Sequence, residues 1–564
     1  MSTAERVAPG QRGWLPRWIF RWGERLADWP NPIVVKELRQ AVRGWTALAL
    51  FVLYLVVQLL VVGMMLMSSA GDLLSERPMG NQVFLAVQIQ LVVVIMGLLP
   101  IYAGVRLFLE RSDVNLDLMF ITPLRPVWIV LGKLLAALVL GLLFFSVSAP
   151  VMTMAYFLRG LDLIKAAILL GLDLVLMVAA VQVALFVAAL PVPRPLAAIF
   201  GILLLLGLFI SVMGMAIYSV SMFDSLWRPD EDWVTPVMIV LSALFVTLFT
   251  FTATHALLSP PPSNRLLFFK LMLAFGPVTF WVLLVTIGWL VIDMSNVVGL
   301  SNFLYFLEFC VLGLPKTLTL ISWLAWAMAV SERLQWGPRI LNQVPRPRWL
   351  RILVFPFYTG AANGLVFALL LTALRWLAFG TFTFVGDVFS HALLHSVGGH
   401  PNRSSLRPSE LGLKTEVLAD LYLITYSLMA FHLRRYLEQQ RSKTLPGWVL
   451  LLVLLGLVSF VQVLFAIVGS LLEVRDELIA LLFTLAPVPM LESLVGVELL
   501  STNRDMVSAV SFVILLVALP LLAVPTLIWW LKQVRLFRPP PPKSAMLTEE
   551  RGESLAMVQA EGKQ

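Results

Sequence analysis

Apolar residues in this chain fall into long, nearly uncharged blocks, not into the alternating stripes of half-buried strands or helices. A block of about 18 residues or more crosses roughly 30 Å of hydrocarbon at 1.5 Å per residue. Only an α-helix or a closed barrel satisfies the backbone there. Twelve such blocks are expected, at residues 45–67, 83–105, 128–157, 166–190, 196–220, 234–258, 268–292, 302–331, 350–373, 415–433, 447–471 and 507–531. The predicted fold class is all-α, a polytopic integral membrane protein with about 12 transmembrane helices.

Two proline runs punctuate this pattern, Pro260-Pro261-Pro262 near the midpoint and Pro539-Pro540-Pro541-Pro542 before a polar tail. Neither can continue a helix. They predict an amphipathic segment over 1–44, a first six-span half over 45–258, a second over 259–538 and a disordered tail over 539–564. Composition agrees, with 59% of the 564 residues hydrophobic and 13% charged. The net charge of +8 sorts by topology and not toward nucleic acid. With both termini in the cytoplasm, the basic clusters Arg17–Arg43, Arg333–Arg351, Arg434–Lys443 and Lys532–Arg538 all fall on the inner side. The first apolar run begins near Trp45, too late and too long for a signal peptide. Cys310, the single cysteine, excludes an internal disulfide.

Two charged segments stand out. In the first, Asn31 is placed to cap a helix with Pro32 at its first position. Ile33, Val34, Leu38, Ala41 and Val42 then repeat at helical spacing, with Lys36, Arg39, Gln40 and Arg43 largely on other faces. Such a helix suits the membrane interface. The second is the loop following the second span, which contains Glu110, Arg111, Asp113, Leu116, Asp117, Leu118, Thr122 and Pro123, then Ile129–Lys133 at the start of the third span. Asp113 and Asp117 lie four apart, on one helical face.

Together these segments resemble the permease subunits of ABC-2-type transporters. Those carry a Glu-(Arg/Lys)-Glu-x-Gly-Thr-Leu-Glu-Leu-Leu pattern in this loop, followed by Thr-Pro. The chain matches at Glu110, Arg111, Leu116, Asp117 in place of Glu, Leu118, Thr122 and Pro123, and departs at Ser112, Val114 and Asn115. The resemblance implies a membrane permease that docks a cytoplasmic ABC ATPase through Glu110, Arg111, Asp113 and Asp117, with Lys36, Glu37, Arg39 and Arg43 on an N-terminal helix that also contacts it. It implies a bacterial inner-membrane location and export of a cargo. ATP and Mg would be bound by the partner, since the chain has no Walker motif and no soluble segment long enough to fold a nucleotide-binding domain. No catalytic residue and no cofactor are expected in this chain, and no nucleic-acid partner.

The second half holds a related pattern. Glu110-Arg111 precedes Arg125-Pro126-Val127-Trp128, and Glu332-Arg333 precedes Arg346-Pro347-Arg348-Trp349. The Glu-to-Trp separations are 18 and 17 residues. A duplicated permease would place a second coupling loop at Glu332, Arg333, Arg346 and Trp349; without duplication a homodimer is expected. The same chemistry also suits membrane-surface anchoring, with Arg and Trp at headgroup level and Pro opening a helix.

Asp173, Glu308 and Lys316 fall inside spans, where a charge usually faces a bundle interior or cavity. Gly313–Thr317 alternatively marks a break in a discontinuous span. These residues keep open a secondary transporter driven by an ion gradient. His391, His395 and His400, in an outer loop expected over 374–414, are weak metal-ligand candidates. They keep open a membrane-embedded enzyme acting on lipid or glycan.

Overall fold

The computed structural model of the protein describes residues 32–69, 79–110, 126–158, 160–192, 194–223, 234–260, 263–291, 297–396, 410–440, 446–457 and 504–539. Among them there is no strand, and nine helices are long and apolar enough to cross a membrane. The protein is therefore an all-α, polytopic membrane protein. The chain divides into two compact units, Met1–Leu258 and Ser259–Gln564.

In the first unit, α1 (Pro32–Arg43) leads into α2 (Trp45–Ser69). The next span is α3 (Met79–Val92) and α4 (Leu99–Glu110), joined by a π-helical turn over Val93–Leu98. Proline explains that turn. Pro100 lacks an N–H and its ring crowds the carbonyl four residues back, so the helix widens just ahead of it. The Leu99 N–H instead reaches the Val94 carbonyl. The unit continues with α5 (Pro126–Phe157), α6 (Leu163–Ala188), α7 (Arg194–Phe223) and α8 (Val234–Leu258). Asp162 caps α6, accepting from the Ile164 and Lys165 N–H groups.

Small residues set the packing of this unit, as expected where helices associate without a hydrophobic driving force between them. Gly104 of α4 faces the backbone of Ala184 in α6; a Cβ there would lie 3.2 Å from the Ala184 carbonyl oxygen. α1 packs on α5, α3 on α5, α4 on α6, and α6 on α8.

The second unit contains α9 (Leu267–Val291), α10 (Val297–Ser331), two short helices α11 (Pro338–Leu341) and α12 (Arg348–Val354), and a 3-10 turn Phe355–Phe357. Then come α13 (Ala361–Ser396), α14 (Glu410–Gln439), α15 (Gly447–Leu457) and α16 (Arg504–Leu536). The span expected over 350–373 starts later, at Ala361, because Pro356 and Gly360 break the chain into turns first. That helix also runs on to Ser396, so His391 and His395 sit on a helix and not in a loop. α10 runs unbroken through 313–317, which removes the expected discontinuity there. Within this unit α9 packs on α10, α10 on α13 and α14, and α16 on α14 and α13.

Candidate functional site

Five described charges of the first unit, Lys36, Glu37, Arg106, Glu110 and Lys133, gather where its second span ends. α1 carries Glu37 inward on a turn shared with Ala41, both buried against α5. From α5, Lys133 Nζ lies 2.6 Å from Glu37 Oε1 and 2.6 Å from Glu110 Oε2, so one ammonium joins α1 to the last residue of α4. Lys36 reaches Glu110 Oε1 at 3.1 Å from the exposed side of α1. Arg106, one turn before Glu110, donates to Tyr102 Oη at 2.8 Å and to Gln40 Oε1 at 3.0 Å, and lies 3.9 Å from Glu37. Glu37, Tyr102, Arg106 and Lys133 line a cavity of about 20 Å³, room for a single water.

This clasp has mechanical consequences. Glu37 and Lys133 are nearly removed from solvent, so each charge depends on the other and would be costly to expose alone. Glu110 is partly exposed and immediately precedes 111–125. Three helices are thus fastened to one another at the root of that segment. Arg39 and Arg43 remain exposed on α1. Arg111, Asp113, Asp117, Thr122 and Pro123 lie outside the described residues.

In the second unit Glu332 directly follows α10 and is buried, not presented to a partner. Its carboxylate meets Lys270 Nζ of α9 at 2.7 Å and accepts from the Gly360 N–H at 2.5 Å. Burial pushes the Glu332 carboxyl above the usual carboxylate range, against the pull of Lys270, the Gly360 N–H and Arg265. Lys270 also donates to the Tyr358 carbonyl at 2.9 Å, and Arg434 of α14 donates to the Val330 and Glu332 carbonyls at 2.5 and 2.8 Å. Trp336 donates to Asn363 at 2.9 Å, and Thr359 donates to Asn264 through both its N–H and its hydroxyl. Gly360 is required here, with φ of +155° and a Cβ position 2.2 Å from Trp336 Nε1. Segment 332–360 is fastened toward both its ends, at Glu332 and Trp336 and again at Tyr358–Gly360. Arg333, Arg346 and Trp349 are exposed on it.

Asp173 is fully buried in α6, and Gln88 of α3 donates to its two oxygens at 3.2 and 3.0 Å. The Gln88 Oε1 has no partner. Lys316 is exposed on α10; Glu308 lies on the same helix, and His400 lies outside the described residues. Among the described residues no three His, Cys, Asp or Glu side chains converge on a metal-sized site.

Sequence reasoning did not single out Lys133 and Lys270 as ion-pair partners, nor the buried pair of Arg375 with Asp420, whose other oxygen accepts from Trp376 at 2.5 Å. The signal for each was a charge inside or beside an apolar block. Comparison with known protein families, curated proteins and solved structures finds no match to this chain.

Proposed function

We propose that the protein is the membrane-spanning permease subunit of an ATP-driven exporter of the ABC-2 type. A separate cytoplasmic ATPase docks on the segment that follows Glu110, and both termini of the permease lie in the cytoplasm. The supporting observation is the clasp of Glu37, Lys133 and Glu110. A push delivered to residues 111–125 meets no slack at their root. It passes to α1 through Glu110 and Lys36, and to α5 through Glu110 and Lys133. The chain's own part is to hold those helices as one lever and to turn its motion into a rearrangement of the spans. Binding ATP is left to the partner.

The two units share a packing scheme: first span on second, second on third and fourth, and last on fourth and third. This supports a duplicated permease, but segment 332–360 has Glu332, which is buried, as its single acidic residue, whereas the sequence of 110–117 holds Glu110, Asp113 and Asp117. We therefore assign motor docking to the first unit only. Co-purification tests the reading. Tagged protein extracted in mild detergent should carry a stoichiometric ATP-binding partner that is lost on Glu110→Ala with Asp117→Ala. Absence of any such partner under gentle conditions would sink it.

A second reading, ion-gradient-driven transport, is favoured by one observation. Asp173 is a fully buried carboxyl held by an amide, with no cation paired to it among the described residues. Transport that survives ATP depletion and stops when the gradient collapses would select it.

A further inference from the structure

We propose that α12 of the second unit is a binding surface for anionic phospholipid headgroups. This does not depend on the permease reading. Segment 332–360 connects two apolar helices, α10 and α13, so both of its ends lie where spans leave the hydrocarbon. Its C-terminal anchor is Phe355, buried and set edge-on against Trp530 and Phe537. That anchor holds α12 at a fixed height, yet no residue of α12 is buried.

Trp349, Ile352 and Leu353 sit at i, i+3 and i+4 and form one stripe. They are 70%, 76% and 67% exposed. An apolar stripe of this kind facing water beside a span end is costly, whereas the lipid boundary accepts it, with Trp at headgroup depth. The charges around the stripe are of one sign. Between residues 333 and 360 the chain carries Arg333, Arg339, Arg346, Arg348 and Arg351 and no acidic residue. Arg351 donates to the Arg346 backbone carbonyl at 3.3 Å, which holds its guanidinium against the start of α12. An apolar stripe bordered by guanidinium groups that have no acidic partner among the described residues fits a phosphate-bearing leaflet surface.

Because the chain has one cysteine, site-specific labelling is direct. In a Cys310→Ser background, Leu353→Cys and, as a control on the same segment, Asn342→Cys would each carry an environment-sensitive fluorophore. The protein would be reconstituted in phosphatidylcholine with and without phosphatidylglycerol. The expected result is a blue shift and quenching by brominated lipid at position 353 but not at 342, stronger with phosphatidylglycerol. Replacing Arg346, Arg348 and Arg351 by Gln should reduce the phosphatidylglycerol preference about a hundredfold. High salt should weaken the preference with the arginines intact, which covers the case in which that variant does not fold. The proposal is overturned if position 353 is unquenched in both vesicles. Quenching indifferent to lipid charge, arginine content and salt would also overturn it. So would shielding that develops only when a soluble protein is added.

Discussion

Glu37 and Lys133 meet at 2.6 Å across 96 positions of the chain, and both are almost wholly withdrawn from solvent. The contact turns α1 from a surface anchor into a structural member of the first unit. An amphipathic helix held only by lipid would present its acidic residue outward, with its cations. Here Glu37 points inward, and Lys36, Arg39 and Arg43 stay outside.

Replacing Lys133 by Met should therefore cost about 3–5 kcal/mol, because Glu37 is left buried with its close cation gone and only Arg106, at 3.9 Å, still beside it. Replacing Lys36, whose pairing with Glu110 is exposed, should cost under about 1 kcal/mol. Thermal unfolding of purified protein in one detergent measures both. Equal effects would show that the clasp carries no special load.

The Glu332 and Lys270 pair admits a sharper test. Glu332→Leu alone strands a buried ammonium and should destabilise by about 3–5 kcal/mol, whereas Glu332→Leu with Lys270→Met should recover most of the loss. Recovery will be incomplete, since the Gly360 N–H and the Tyr358 carbonyl then lose their partners. A double-mutant cycle on unfolding midpoints gives the coupling.

Two glycines should respond to Ala by different amounts. A Cβ on Gly141 meets the thioether of Met177 at 2.2 Å, the end of a flexible side chain that can swing aside. A Cβ on Gly447 meets the Val330 carbonyl oxygen at 2.2 Å, on a backbone that also accepts from Arg434. Gly447→Ala should cost about 3 kcal/mol, and Gly141→Ala about 1 kcal/mol or less. Unfolding midpoints or expression yield of folded protein would rank them.

The helices were legible from block length alone, because hydrocarbon leaves the backbone few choices. α2, α5, α6 and α8 begin and end within a few residues of the expected limits. Less legible was where helices run past their apolar blocks. Arg375 reads from sequence as the start of an outer loop, yet α13 continues beyond it and Asp420 of α14 neutralises it inside the unit. Nor does sequence tell a cation at a span end that snorkels to water from one that pairs inward. Trp128 and Lys133 share the start of α5, and only the presence of Glu37 and Glu110 nearby turns Lys133 inside. The Arg-Pro-x-Trp recurrence opens a helix in both halves, at Pro126 and after Pro347. In the first unit that helix is the third span itself; in the second it is the separate α12.

Asp173 separates the two transport readings. Its oxygens accept from the Gln88 amide N–H groups, and Oε1 of the same amide has no partner among the described residues, leaving it free to accept a hydrogen bond. A neutral acid facing an amide satisfies both groups, whereas a carboxylate buried without a cation carries a large desolvation cost. Asp173→Asn keeps the shape and one donor, so it should leave the unfolding midpoint within about 1 kcal/mol of wild type, while Asp173→Ala strands the amide and should cost about 1–3 kcal/mol. If the protein is an ATP-driven permease, Asp173→Asn should also retain ATP-dependent transport. Loss of transport in a stably folded Asp173→Asn variant, with rescue by no change in ATP, would make Asp173 a proton carrier and move the protein to the gradient-driven class.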